Sequence, residues 1–524
     1  MKKNKNILKT IFVLGLVVGC NDDLLNKTDP GSGTVEGFFN NENELAYGIN
    51  GVYNAFQGDW WGGSLVHLQP HLDGATDNAR ICCSWEYGFP QVATGNMSPT
   101  SGAIVEWKWT YGFQALTRVN QMLEIIEKGI PGLDDAAANK WRGELRFLRA
   151  FIYNEMVTVY GDVPLINKVL TPDEASKTGR TAKSEVVNAI LADLTFAADN
   201  LQTTPNLGQI GRPTKQTALA LKGKVQLYNA MFAEAATTLV EVIAMEGGAV
   251  ILDPNYESLF NGKNESSKEI LFSLQAVGDG KNEGSFFQVH YGPPNLPSGN
   301  TAGGWNSMEY SMNLLNDYYM SDGKSMDDSP LYDPNNKYAN RDPRLTMSFL
   351  TPLPGTTWNG SELEADNFYF NGAAPNPVNA AELICKKWSS EATKDAGDTN
   401  VDFILLRYAD VLLMYAEVQN ESAGPDATVY SAVNKIRARA GMPDFPVGLT
   451  KDEMREEIRH ERRIEFVMEG TRYYDLIRWK TAETVIPASP LETRNFNPAK
   501  NYLWPIPQSA IDSNPELIKQ NPNY

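Results

Sequence analysis

The chain is poor in the side chains that most enzymes use for proton transfer and metal binding. Its 524 residues include only four histidines and four cysteines. No H-E-x-x-H, G-x-S-x-G or G-x-x-x-x-G-K-[ST] pattern occurs, and no C-x-x-C pair, so zincin, nucleophile-elbow, phosphate-cradle and zinc-finger chemistry have no carrier in the sequence. His67 and His71 stand four apart near Asp73, but Pro70 between them disfavours the regular helix that would align them. They read as loop histidines with local hydrogen bonds, and no metal or cofactor is expected. Glycoside hydrolysis needs two carboxylates across a cleft, and no motif marks such a pair among the 64 acidic residues. Positive charge is also short. Lys and Arg number 46, the net charge is -18 and the pI is near 4.8, which excludes the basic face that nucleic acid requires. The basic run Arg459–Arg463 alternates with Glu456, Glu457, Glu461 and Glu465 at helical spacing, and reads as a solvated, salt-bridged face.

Long apolar runs are missing as well. Ile7–Val18 is mostly apolar, yet too short for the roughly 20 residues of a membrane span. With Lys2, Lys3, Lys5 and Lys9 ahead of it, residues 1–19 read as a signal peptide. Leu16-Val17-Val18-Gly19-Cys20 looks like a bacterial lipobox, departing from the usual pattern at Val17, where a Leu is common. Cys20 is therefore the expected lipidation site, with acyl chains that anchor at about 0.8 kcal/mol per buried methylene. Asp22 and Asp23 follow it. The remaining Cys82, Cys83 and Cys385 form no disulfide framework. The adjacent pair reads as two small buried hydrophobes; a bond between them, which an exported protein's oxidising surroundings favour, is the alternative.

What is present is an ordinary globular complement of apolar residues, 42%, in a chain longer than one usual core. Helical patterning covers Glu42–Phe56, about 104–127, Ala136–Tyr160, Lys183–Leu201 and Pro213–Met245, and returns at Asp402–Glu421, Asp426–Ala440 and Lys451–Thr481. Gly161 and Pro164 end the third of these, and Pro213 suits a first helical turn. Small residues such as Ala218, Ala220, Gly223 and Ala230 suggest close helix contacts of a degenerate tetratricopeptide type. Residues 58–103 and 250–400 are loop-like and rich in Gly, Asn, Asp and aromatics.

Five segments point to one family. They are RFLRAFIYNEMVTVYGDVPLI (Arg146–Ile166), RDPRL (Arg341–Leu345), FILLRYADVLLMYAEVQN (Phe403–Asn420), IRHERRIEFVMEGTRYYDLIRWK (Ile458–Lys480) and LWPIPQSAIDSNPELIKQNPNY (Leu503–Tyr524). Together they resemble SusD/RagB proteins, surface lipoproteins with which Bacteroidetes-type bacteria capture nutrients. The resemblance implies a mainly α, SusD-like fold, with a tetratricopeptide-like helical scaffold packed against a loop-rich irregular region. It implies an N-terminal region over 20–245 and a RagB/SusD C-terminal region over 246–524. It also implies a protein held on the outer membrane, facing outward, that binds an oligosaccharide or polysaccharide and delivers it to a SusC-like TonB-dependent transporter. A RagB-like peptide-capture role is the alternative, and a surface glycoside hydrolase a more distant one.

Loops on a rigid scaffold are where ligand sites are expected. A sugar offers apolar C–H faces to flat aromatics and hydroxyls to amides, carboxylates and guanidinium groups. Trp60, Trp61, Trp85, Tyr87, Trp305 and Trp358 sit in polar, Gly-rich surroundings, with Asp73, Asp77, Asn78, Arg80 and Asn306 as polar partners. Trp305 ranks first, because it lies in the Gly-rich approach to RDPRL, and Trp85 and Trp61 follow. Trp107, Trp141 and Trp479 fall on helical apolar stripes and read as core. Arg407, Asp410 and Glu417 suit a buried ion network with Arg437 or Arg439, and Arg472, Asp475 and Arg478 look similar.

Overall fold

The computed structural model describes residues 38–57, 63–66, 68–278, 280–281 and 283–524. Residues 1–19, Cys20, Trp60, Trp61 and His67 lie outside the described residues. The longer helices are α1 (Glu42–Tyr53), α2 (Ala103–Lys128), α3 (Asp135–Tyr160), α4 (Lys183–Asn200), α5 (Lys215–Tyr228), α6 (Phe232–Ile243), α7 (Tyr408–Ala423), α8 (Ala427–Ala440) and α9 (Lys451–Glu465). From α2 to α8 each packs on the next, and α7 also meets α5 and α9. Among the described residues no helix is long and apolar enough to cross a membrane.

Local sequence explains the scaffold. The Asp134 side chain caps α3 by accepting from the Ala137 N–H, and Gly161, at φ 72°, ends it. The α3 stripe of Trp141, Leu145, Leu148, Ile152, Met156 and Val159 is buried. Gly223 of α5 lets α6 approach closely: a Cβ there would lie 2.4 Å from Leu239. One apolar core runs from Leu45 to Ile518, so residues of both halves share it.

Three helical expectations are corrected. Pro213–Met245 is two helices, broken at Ala230, which is exposed at φ 57°. Pro213 precedes the cap residue Thr214 and stands outside the first turn. Phe403–Arg407 is a strand, paired antiparallel with Ile270–Leu274, before α7 begins; its apolar run is equally compatible with either state. Lys451–Thr481 breaks after α9, at Met468 (φ 60°) and Gly470 (φ 72°), and resumes as the helix Thr471–Arg478. A Cβ on Gly470 would stand 2.4 Å from the Gln69 carbonyl, so the chain turns there directly against the N-terminal region.

The loop-like stretches hold short structure that ties the halves together. Gln69–Ala75 is a 3-10 helix, and Ala79–Ile81 pairs antiparallel with Met308–Ser311, which also pairs with Ala380–Ala381.

The charged motifs lie inside. Arg459–Arg463 is not a solvated face: Glu461, Arg462, Arg463 and Glu465 are all buried. Arg407 bonds Glu269, Glu465 and Glu469, while Arg439 bonds Glu269 and Glu465. Arg344 of RDPRL bonds Asp342, Glu461 and Glu465. Asp410 and Glu417 do not pair with Arg437 or Arg439. Asp410 takes Lys224 and Arg462, Glu417 takes Arg478, and Arg437 takes Glu461. Burial alone would push these carboxyls up, but the facing guanidinium groups hold Glu465 well below, and the Lys224 ammonium with Arg462 holds Asp410 at about 2.

Candidate functional site

The antiparallel pairing of Ala79–Ile81 with Met308–Ser311 continues outward, the Cys82 N–H donating to the Ser307 carbonyl at 2.9 Å. On the other side Trp305 and Ser307 donate to the carbonyls of Val289 and His290, each at 2.7 Å. Three stretches of chain thus meet: the loop 82–88, the short helix Phe287–Tyr291 and the segment 304–307. They present an aromatic group. The Trp305 ring lies 5.1 Å from His290, which lies 6.0 Å from Phe286 and 6.3 Å from Tyr87, and Tyr87 stands 5.4 Å from Trp107. Trp305 is 48% exposed and Trp85 73%.

Beneath this group lie three buried ionisable side chains. His71 Nε2 is 3.4 Å and His290 Nδ1 is 3.7 Å from Glu86 Oε2. Burial pushes Glu86 up, but the two imidazoles outweigh it and hold the carboxyl below its ordinary value. Burial pulls His290 down to about 3.

Beside the aromatic group opens a cleft of about 520 Å³. Tyr111 and Phe286 supply aromatic surface. Gln57, Gln114, Arg118, Gln275, Glu283 and Asp398 supply hydrogen-bonding groups. Asp398 accepts from the N–H groups of Gly280 and Gly284, fixing one wall, and a Cβ on Gly284 would collide with it at 2.3 Å. Gln275 and the Ala276 N–H bond Asp402, whose carboxyl is pushed up to about 7 by burial and the nearby Glu265.

Of the residues picked from the sequence, Trp305 and Trp85 stand at the surface where a ligand can reach them. Among the other described candidates, Trp358, Asp73, Asp77, Asn78 and Asn306 are buried, and Tyr87 and Arg80 are half-buried. Trp358 is buried with Leu350, Phe368 and Ile384, its Nε1 donating to the Ala302 carbonyl at 3.1 Å. Asp73 is buried, accepting from the Met468 N–H and from Asn78, and Asn78 also accepts from Arg463. Asp77 pairs with Arg463 and Arg472. Arg80 bonds Glu309 at 2.5 Å and covers Phe370 in a separate recess of about 270 Å³. Trp358, Asp73 and Asn78 are therefore held inside the fold by internal contacts, and Arg80 is already engaged away from the aromatic group.

Two further corrections concern the cysteines and the helical tryptophans. Cys82 and Cys83 are bonded to each other, so they are not a pair of free hydrophobes. Trp141 is core, but Trp107 and Trp479 are only half-buried. Sequence reasoning missed the cleft. Tyr111 was legible only as part of a helical stripe, and Phe286 only as part of the loop-like, Gly- and aromatic-rich stretch 250–400.

A helical scaffold that carries an open, aromatic-edged cleft suits a binding protein. The sequence pattern of the SusD family matches residues 268–524, and the pattern described as starch-binding associating with outer membrane matches residues 34–227. The chain belongs to the SusD/RagB family, whose members are binding proteins and not enzymes. It is 28% identical to SusD-like protein P2 of Formosa agariphila, over 100% of both chains. A SusD-like carbohydrate binding protein from Bacteroides fragilis superposes with a TM-score of 0.79 at 26% identity, covering 92% of this chain and 99% of that one. Surface glycan-binding protein A from Bacteroides thetaiotaomicron, solved in complex with laminarihexaose, superposes at 0.72 with 18% identity over 92% and 100% of the two chains, which shows the fold alone.

Proposed function

We propose that this protein is a surface glycan-binding lipoprotein, anchored through Cys20 to the outer membrane, that captures an oligosaccharide and hands it to a SusC-like TonB-dependent transporter. The observation that carries the reading is a half-exposed Trp305 held against His290, next to a cleft whose walls alternate aromatic and hydrogen-bonding groups. Such a surface suits an amphipathic sugar chain: rings cover its C–H faces, and amides, carboxylates and Arg118 meet its hydroxyls. The cleft lies within the roughly 300–1,000 Å³ of ordinary ligand sites. The Bacteroides fragilis relative, a SusD-like carbohydrate binding protein, supports the same substrate class.

Affinity gel electrophoresis against starch, laminarin and other soluble polysaccharides tests the binding. Retardation by at least one glycan, with no new reducing ends, is expected. Retardation by none, or release of reducing ends, contradicts the reading. Solubilisation in mild detergent is expected to yield the protein together with a transporter barrel; recovery only as a free monomer beside an expressed transporter contradicts the handover.

A further inference from the structure

We infer that His71, Glu86 and His290 form a binding site for one divalent transition-metal ion of the zinc class. Their ligand atoms lie within 4.8 Å of one another. Two of the separations are 3.4 and 3.7 Å. Metal bonds of about 2.0–2.2 Å in a tetrahedral arrangement place neighbouring ligand atoms roughly 3.3–3.6 Å apart, so both contacts to Glu86 already stand close to the required spacing.

Two observations besides the clustering point to an ion. His71 Nε2, Glu86 Oε2 and His290 Nδ1 are all buried, and apart from their loose contacts of 3.4 and 3.7 Å with one another none has a well-formed hydrogen bond among the described residues. Buried polar atoms without partners are rare, and three of them converging on one point call for a common occupant. The second is the bond between His71 Nδ1 and the Tyr291 hydroxyl, at 2.6 Å. With Nδ1–H donating, the Nε2 lone pair is left facing the cluster, which is the outer-shell arrangement that orients imidazole ligands on metals. Two imidazoles and one carboxylate suit zinc, cobalt or nickel, and are a poor set for calcium or magnesium, which take oxygen ligands.

The three ligands come from separate segments: the 3-10 helix Gln69–Ala75, the loop that carries Trp85 and Tyr87, and the helix Phe287–Tyr291, whose His290 contacts Trp305. An ion here ties those segments together and fixes the base of the aromatic group. The ion-binding claim stands whether or not the ligand of the neighbouring cleft is a glycan.

The test uses the untagged full chain in detergent, stripped with a chelator and titrated with cobalt and then zinc. One equivalent of cobalt is expected to survive desalting, to give visible d–d absorption and to be displaced by zinc. Zinc is expected to raise the thermal midpoint of the stripped protein, and calcium and magnesium to leave it unchanged. Glu86→Gln, which keeps the shape of the side chain, and His290→Gln are each expected to weaken retention at least about tenfold. Absence of stoichiometric cobalt in the wild type overturns the proposal. So does equal retention by either variant, or an equal response to calcium. Should His290→Gln fail to fold, the wild-type cobalt spectrum and Glu86→Gln still decide.

Discussion

Trp305 packs edge-on against the buried His290, ring centroids 5.1 Å apart, while nearly half of its own surface stays open. Its backbone N–H is held by the Val289 carbonyl at 2.7 Å. The ring is thus fixed before any ligand arrives, which reduces the ordering cost of binding. Its neighbours on the other side of His290 lead through Phe286 into the cleft.

The buried ion network is expected to be the fold's most sensitive feature. Arg407 donates to Glu469, Glu465 and Glu269 at 2.6 to 3.0 Å. Arg407→Met keeps the aliphatic stem but leaves those carboxylates under-compensated, so unfolding in urea should show a loss of about 3–5 kcal/mol. A loss below about 1 kcal/mol would mean that the network relaxes without it.

Trp479 is half-buried, its Nε1 donates to Glu417 at 2.8 Å, and the guanidinium groups of Arg459 and Arg478 each lie 4.8 Å from its ring. Trp479→Ala should cost about 2 kcal/mol, less than the 3–5 kcal/mol of a fully buried tryptophan. Trp479→Phe should cost about 1 kcal/mol, the net worth of the lost hydrogen bond. Equal costs for the two variants would remove ring packing from the explanation, and no cost for Trp479→Phe would remove the hydrogen bond.

Asp402 gives stability a pH dependence. Burial and Glu265 raise its carboxyl from 3.8 in a free side chain to about 7 in the fold. The folded state then holds more protons between about pH 4 and 7, so this group's contribution is full below pH 4 and is lost as pH rises through 7. Relative to Asp402→Asn, the wild type should lose stability over that window with a slope approaching 1.4 kcal/mol per pH unit. Parallel curves for the two proteins would contradict the assignment.

Cys20→Ala should yield an unacylated product that leaves the membrane fraction, whereas the wild type should partition into detergent and be open to protease on intact cells. Unchanged acyl labelling in the variant would place the anchor elsewhere.

Much of the scaffold was legible in the sequence because an amphipathic stripe is a local signal. The stripe from Trp141 to Val159 and the ending at Gly161 identify α3 to within a residue. Breaks set by tertiary contacts were not legible. Met468 turns where Asp73 takes its N–H and Trp388 its carbonyl, and those partners lie far away in sequence. Charge was misread for the same reason: alternating Glu and Arg in α9 look solvated until Arg344 and Arg407 arrive from other segments. For the site, exposure at Trp85 and Trp305 followed from polar, Gly-rich surroundings, yet the same surroundings hold the buried Trp358. The cleft depends on α2 facing the 275–286 segment, and no local pattern encodes that meeting.

The most direct test of the central claim is calorimetric titration of Trp305→Ala with whichever glycan retards the wild type most strongly. Removing a stacked aromatic at a binding hot spot costs about 2 kcal/mol or more, so affinity should fall at least about thirtyfold. The thermal midpoint should stay within about 2 °C, since half of the ring is already in solvent. Wild-type affinity in the folded variant would contradict the account and move the site away from Trp305.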